Sequence, residues 1–207
     1  MTQSVNAMTP ESIRAAVAER YGRVAKEPNS RHSFPVGRTF AESVGYPCEV
    51  LDSLPRAAVD AFAGISYPLR HAHLQLGETV LDLGCGAGMD TILMARQVGK
   101  QGQVHALDLS PDMLQCARAN VGMAGLENVA FYQTQAEDVP LDDGSVDVVV
   151  VNGIFNLCPT KEKVAQGVYR VLQPKGRLLV SEIVLRVPDG EEWVGQTCGL
   201  TLDDWFQ

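Results

Sequence analysis

From residue 78 onward, short apolar runs alternate with stretches whose apolar positions recur every three or four residues. TVLDLG (79–84), QVHALDL (103–109), NVAFYQT (128–134), SVDVVVVN (145–152) and RLLVSEIVL (177–185) predict five strands. The valine run of the fourth is apolar on both sides, as in a strand buried on both faces. Between the strands, MDTILMARQV predicts a helix ending at Gly99. A second helix opens with Ser110 as N-cap and Pro111 at its first position, and a third, KEKVAQGVYRVL, follows a Thr160 cap. QPKG then reads as a turn. Strand and helix alternating in this way predict a parallel sheet with helices on both faces, and right-handed crossovers make it a doubly wound α/β fold.

The first 75 residues follow another pattern. Thr9-Pro10-Glu11 starts a helix with Ile13, Val17, Tyr21 and Val24 on one stripe. EPNSRHSFPVGRTF is polar and punctuated by Pro and Gly, and short helices are expected around CEVLDSL and PRAAVDAFAG. These elements read as a helical cover (1–75) on the α/β core (76–187), which a short tail (188–207) follows.

Composition narrows the partners. A net charge of −8 on 207 residues argues against a phosphate-binding footprint and hence against nucleic acid. No apolar run approaches the roughly 18 residues of a membrane span. The N-terminus lacks the basic-then-apolar pattern of a signal peptide, so the expected location is cytoplasmic. Cysteines at 48, 85, 116, 158 and 198 form no C-x-x-C and are odd in number, which disfavours a disulfide framework or structural zinc. His71 and His73 have no Glu or Cys at ligand spacing, so no metal is expected.

The chemistry concentrates in VLDLGCGAGMD (80–90). A strand leads through Gly84, Gly86 and Gly88 into a helix, a turn that offers free amides and a positive helix end to a ligand. A dinucleotide fingerprint needs a third glycine where Met89 stands, so the pattern suits a nucleoside ligand without a pyrophosphate. Asp108 ends the second strand, where an acidic side chain accepts ribose hydroxyls.

These residues resemble the class I methyltransferases that use S-adenosylmethionine, over about residues 78–185. The resemblance implies a Rossmann-like fold, with the cofactor leaving as S-adenosylhomocysteine. The family usually adds two strands after the fifth, but the residues after 185 show no strand pattern, so five parallel strands in order 3-2-1-4-5 are expected. The resemblance places Asp82, Gly84, Cys85, Gly86 and Gly88 around the methionine and ribose, and Asp108 on the ribose. Leu109, Met113, Ala136 and Glu137 fall beside the adenine and Asn152 near the departing methyl. Gln135 stands where many relatives carry an Asp on the adenine amino group. Tyr21 would close over the cofactor, and Phe155 and Leu157 would be pocket wall. The remaining acids of EDVPLDD (137–143) read as a solvated loop.

A narrower resemblance, carried by YGRVA, GYPCEVLDSLP, FAGISYP, VNGIFNLCPTKEK and RVLQPKGRLLVSEIV, is to arsenite methyltransferases. That family holds trivalent arsenic on three thiolates. Ile65 and Gly153 stand at two of those positions, and Cys198 falls within about a residue of the third. Cys48, Cys158 and Cys198 are therefore the candidate acceptor-binding thiols. The expected activity is methyl transfer to a small-molecule acceptor, arsenite-methyltransferase-like with an incomplete thiol set. Methylation of another small metabolite on O, N or C, and S-adenosylmethionine binding without catalysis, are the alternatives. No side chain stands out as a general base. The fifth strand is expected to be an open edge, shielded by the N-terminal helices or by a second copy in a homodimer.

Overall fold

The computed structural model describes residues 9–184. Five parallel strands form one sheet in order β3-β2-β1-β4-β5. They are β1 Thr79–Leu83, β2 Gln103–Asp108, β3 Val129–Gln133, β4 Val146–Asn152 and β5 Leu172–Ser181. β1 and β4 are rich in Val and Leu because both their faces are covered. Val80, Val148 and Val150 face α5 (Met89–Val98) and the N-terminal helices. Leu81, Leu83, Val149 and Val151 face α7 (Lys161–Val171). All seven of these side chains are fully buried, each contributing about 1.5–3 kcal/mol.

The N-terminal segment builds α1 (Pro10–Lys26), α2 (Arg38–Ser43), α3 (Cys48–Asp52) and α4 (Arg56–Asp60). Thr9 caps α1, its hydroxyl accepting from the Ser12 amide at 3.2 Å. α1 lies against α6 (Pro111–Met123), where Lys26 pairs with Asp112 at 2.8 Å. Gly22 allows the approach, since a Cβ there would stand 2.7 Å from the Asp112 carboxylate. Ala41, Tyr46, Leu51, Ala58 and Phe62 join the same buried cluster as Val80 and Val148, so cover and sheet share one core.

The polar stretch ending in RTF runs into α2, which Arg38 ties down through Glu42 and Asp52 at 2.8 and 2.7 Å. Three expectations are corrected. The fifth strand starts at Leu172 and ends at Ser181, not at 177 and 185. QPKG is an irregularity inside it: Val146 pairs with Leu172 and Val148 with Arg177, with Lys175 at φ 74° absorbing the excess chain. Beyond Ser181 the Glu182 carboxylate accepts from the amides of Phe155 and Ile183, which ends the ladder. Thr160 precedes α7 but does not cap it with its side chain; its hydroxyl donates to Glu137. β5 is one edge of the described sheet, with Leu178 and Val180 partly exposed. The tail, with Cys198, lies outside the described residues. Among the described residues no helix is long and apolar enough to cross a membrane.

Candidate active site

A cavity opens at the carboxyl ends of β1, β2 and β4, roofed by α1 and walled by the Phe62–Gly64 loop. This is where ligands of doubly wound sheets bind. The glycine turn forms its floor. Gly84 (φ 87°) has no room for a Cβ, which would overlap Ile154 Cγ2. Gly86 (φ 52°) is the opposite case: a Cβ would meet no atom within 4 Å and would project into open space. Gly88 does not line the cavity. It is the left-handed N-cap of α5, where a Cβ would stand 3.1 Å from Ala117 Cβ, so its work is to let α5 approach α6.

Three carboxylates face this space from three elements. Asp108, at the end of β2, accepts from the Gly86 amide through Oδ2 and the Ser110 amide through Oδ1, both at 2.8 Å. It stays partly open to the cavity. Burial raises its carboxyl above the ordinary range, against the lowering effect of the amides of Ser110, Gly86 and Leu109. Asp82, 5% exposed, accepts from the Thr91 hydroxyl. Burial above all, helped by the fields of Asp90 and Asp108, pushes its carboxyl up to about 8. Asp90, in the first turn of α5, accepts from the Tyr46 hydroxyl at 2.6 Å and from Asn152 Nδ2 at 3.0 Å. Burial raises it too. Sequence reading passed over Asp90, because an acid in a first turn is ordinary helix chemistry.

Among the described residues the one cation lining the cavity is Arg14, and it is already paired. Its Nη2 meets Glu137 Oε1 at 2.9 Å, and the Thr160 hydroxyl donates to the same oxygen at 2.8 Å. Burial would raise the Glu137 carboxyl, but Thr160 and Arg14 together hold it below the usual value. Glu137 therefore borders the cavity as part of a latch that fixes α1 over it. Nothing local pointed to Arg14, which is 123 positions away from its partner.

Tyr21, Cys85, Leu109, Met113, Gln135, Ala136, Leu157 and Cys158 also line the cavity. Tyr21 stacks on Phe34 with ring centroids 5.1 Å apart, and burial keeps its phenol protonated. Phe155 is not part of the lining and packs with Val149 and Val151. Asn152 lines it but is fully engaged: Oδ1 accepts from the amides of Ile65 and Ser66 at 3.0 and 3.2 Å, and Nδ2 donates to Ser66 O and Asp90. It holds the 64–66 loop in place, and Gly64 is required there because a Cβ would stand 2.5 Å from Nδ2.

The thiols separate. Cys158 is buried at the wall, donates to Ile154 O at 3.3 Å, and burial with the Glu137 field pushes it up to about 12. Burial likewise keeps Cys85 protonated. Cys48 is exposed at the start of α3 beside Glu42, and is not part of the lining. Ile65 and Gly153 do come together: a Cβ on Gly153 would stand 3.1 Å from Ile65 Cγ2. No group of three His, Cys, Asp or Glu that could hold a metal ion occurs among the described residues.

Residues 74–200 match the model of a methyltransferase domain family. The chain belongs to that family. It is 36% identical over 193 residues to an arsenite methyltransferase of Halobacterium salinarum, covering 86% of this chain and 49% of that protein. It is 39% identical over 109 residues to the ubiquinone/menaquinone biosynthesis C-methyltransferase UbiE of Escherichia fergusonii, covering 51% and 43%. An arsenic(III) S-adenosylmethionine methyltransferase from Chlamydomonas reinhardtii superposes with a TM-score of 0.52 at 32% identity, covering 70% of this chain and 48% of that one. The chain spans half the length, or less, of these relatives.

S-adenosylmethionine, the family's cofactor, fits this methyltransferase domain on charge. Asp82, Asp90 and Asp108 face the cavity while Arg14 is neutralised by Glu137. Desolvated carboxylates without a cation are costly, and a ligand bearing a sulfonium and an ammonium supplies the missing charge.

Proposed function

We propose that this chain is the cofactor-binding part of an S-adenosylmethionine-dependent methyltransferase acting on a small-molecule acceptor. The observation that carries the reading is the set of three cavity-facing carboxylates without a cation at the carboxyl end of the sheet. Bound there, S-adenosylmethionine supplies a methyl group already activated on a cationic sulfur. The chain's own part is then positioning and exclusion of water, which supplies about 7–11 kcal/mol of barrier reduction. Asp108 takes the ribose, Leu109, Met113 and Ala136 flank the adenine, and Tyr21 and the Arg14–Glu137 latch roof the site.

The acceptor reading is arsenite-methyltransferase-like with an incomplete thiol set, supported by the relatives above and by Cys158 at the cavity wall. A second reading, methylation of another small acceptor, is favoured by Ile65 packed on Gly153, where the resembled family carries thiols, and by the protonated state of Cys158. Soft or already ionised acceptors suit either, because their methylation requires no proton to be removed. The test is S-adenosylhomocysteine formation from S-adenosylmethionine with an acceptor panel, arsenite plus thiol included. Turnover with arsenite that is lost in Cys198→Ser or Cys158→Ser supports the first reading. Turnover with another acceptor supports the second. Tight cofactor binding without any turnover makes the chain a binding protein, and absence of binding overturns the proposal.

A further inference from the structure

With the carboxylates and the glycine turn assigned to the cofactor, the rest of the cavity lining has one chemical character. Val17 of α1, Phe62 after α4, and Ile154, Leu157 and Pro159 between β4 and α7 bring only carbon side chains to it. Phe62 is buried, its ring 5.1 Å from that of Tyr46 and 6.2 Å from that of Phe40, so the wall is backed by aromatic rings. Ile154 lies on the turn, where a Gly84 Cβ would overlap its Cγ2, and Ile65 lies on Gly153. A branched side chain thus covers the glycine after β1 and another the glycine after β4. The polar side chains on this side are committed or neutral. Arg14 is paired with Glu137, and Asn152 spends both its amide groups on Ile65, Ser66 and Asp90. The Cys158 thiol donates to Ile154 O, and Tyr21 carries a protonated phenol. A charged group laid on such a wall loses its hydration without gaining a partner, and an anion also faces Asp82, Asp90 and Asp108.

Resting on the S-adenosylmethionine reading above, we propose that the acceptor is a small molecule with an apolar body, uncharged except at the atom that receives the methyl, and that Val17, Phe62, Ile154 and Leu157 select it. Charge on the reacting atom is tolerated because that atom faces the sulfonium; charge elsewhere on the acceptor has no partner. The wall therefore selects by what it refuses. Amino acids and phosphate esters fall outside the class, and aromatic or aliphatic molecules fall inside it. A neutral hydroxyl on the acceptor is compatible, since an apolar pocket rejects one only weakly.

Three probes of similar shape test this on the full chain saturated with S-adenosylhomocysteine: 2-naphthol, 2-naphthoate and 2-naphthylmethylammonium, at neutral pH. Calorimetry is expected to show the uncharged naphthol binding at least about tenfold more tightly than either charged probe. Leu157→Asn should weaken naphthol binding by about tenfold and leave S-adenosylhomocysteine affinity within about twofold. Val17→Asn, at a half-buried position of α1, should act in the same direction by a smaller factor, and it decides the matter where the first variant does not fold. The acceptor class would be overturned, with the cofactor site left standing, by any of three results. These are a charged probe binding as tightly as the naphthol, no binding of any probe to the loaded chain, and naphthol affinity unmoved in the folded variants. Failure of the unaltered chain to bind S-adenosylhomocysteine would overturn the S-adenosylmethionine reading itself.

Discussion

Asp82→Asn removes the charge at the cavity floor and leaves its shape, since the amide oxygen still accepts from the Thr91 hydroxyl. In the folded chain, burial and the neighbouring Asp90 and Asp108 push the Asp82 carboxyl from 3.8 to about 8, against the Thr91 hydrogen bond. At about 1.4 kcal/mol for each tenfold change in acidity, ionising it costs about 6 kcal/mol more in the folded than in the unfolded state. The three carboxyls titrate as a cluster, which spreads that cost and brings the share removed with Asp82 to about 2–5 kcal/mol. Because the folded value is the higher one, the folded state keeps the proton longer. The group is neutral in its effect below about pH 4, destabilises progressively as pH rises, and reaches its full cost above about pH 8. Urea unfolding of the ligand-free chain across that range is the assay. Wild type and variant should match near pH 4, and the variant should be the more stable by about 2–5 kcal/mol near pH 9. Taking the difference between the two cancels groups such as Glu78 and Glu137, whose carboxyls shift the other way. A cationic ligand draws the proton off, so wild-type affinity for S-adenosylmethionine should climb with pH toward 8 while that of the variant changes much less. Parallel stability curves at every pH would refute the account of a desolvated, charge-starved floor.

Other substitutions probe the remaining parts. Asp108→Ala should weaken S-adenosylmethionine binding by about 1.5–3 kcal/mol in calorimetry, since it removes a charged acceptor that also fixes the Gly86 amide. Gly86→Ala puts a methyl into open space at a left-handed position, so it should cost about 1–2 kcal/mol of stability but obstruct the ligand, seen as a larger loss in binding than in melting. Arg14→Met strands Glu137 with Thr160 alone and should destabilise by about 2 kcal/mol, the partial exposure of Arg14 reducing the usual cost of a broken buried pair; adding Glu137→Gln should recover part of it. Iodoacetamide at mild alkaline pH should label Cys48 well before Cys85 or Cys158 in the native chain, by peptide mass mapping, because Cys48 is exposed to the reagent whereas Cys85 and Cys158 are buried and held protonated by that burial.

The parts of the fold that were readable are those set by local rules. Strand period, the Ser110-Pro111 start and the glycine turn each act within a few residues, and the sheet order followed from them together with the resemblance. Asp108 was readable because it ends a strand beside that turn. What escaped depends on contacts remote in sequence. The start of β5 is set by pairing with β4, where a register shift between Val146 and Val148 keeps QPKG in the sheet. Thr160 looked like a cap because nothing nearby revealed Glu137, 23 positions upstream, as its partner. Asn152, expected from the resemblance to lie near the methyl group, lines the cavity, and its bonds to Ile65, Ser66 and Asp90 are legible only once the loop is in place.

Those remote contacts have a common direction. Arg14 to Glu137, Asn152 to the 64–66 loop, and Tyr46 to Asp90 all join the first 75 residues to the strand ends of the core. The sheet alone provides the floor: the glycine turn, Asp82 and Asp108. Roof and wall come from α1, α4 and the Phe62–Gly64 loop. A floor built from backbone geometry accommodates one cofactor shape, whereas a wall built from separate side chains is free to vary. Ile65 and Gly153 meet in this way, one on the cover and one at the end of β4. On the proposed reading the floor is local in sequence, while the roof and wall, with Arg14, Tyr21 and Gly64, meet it only after folding.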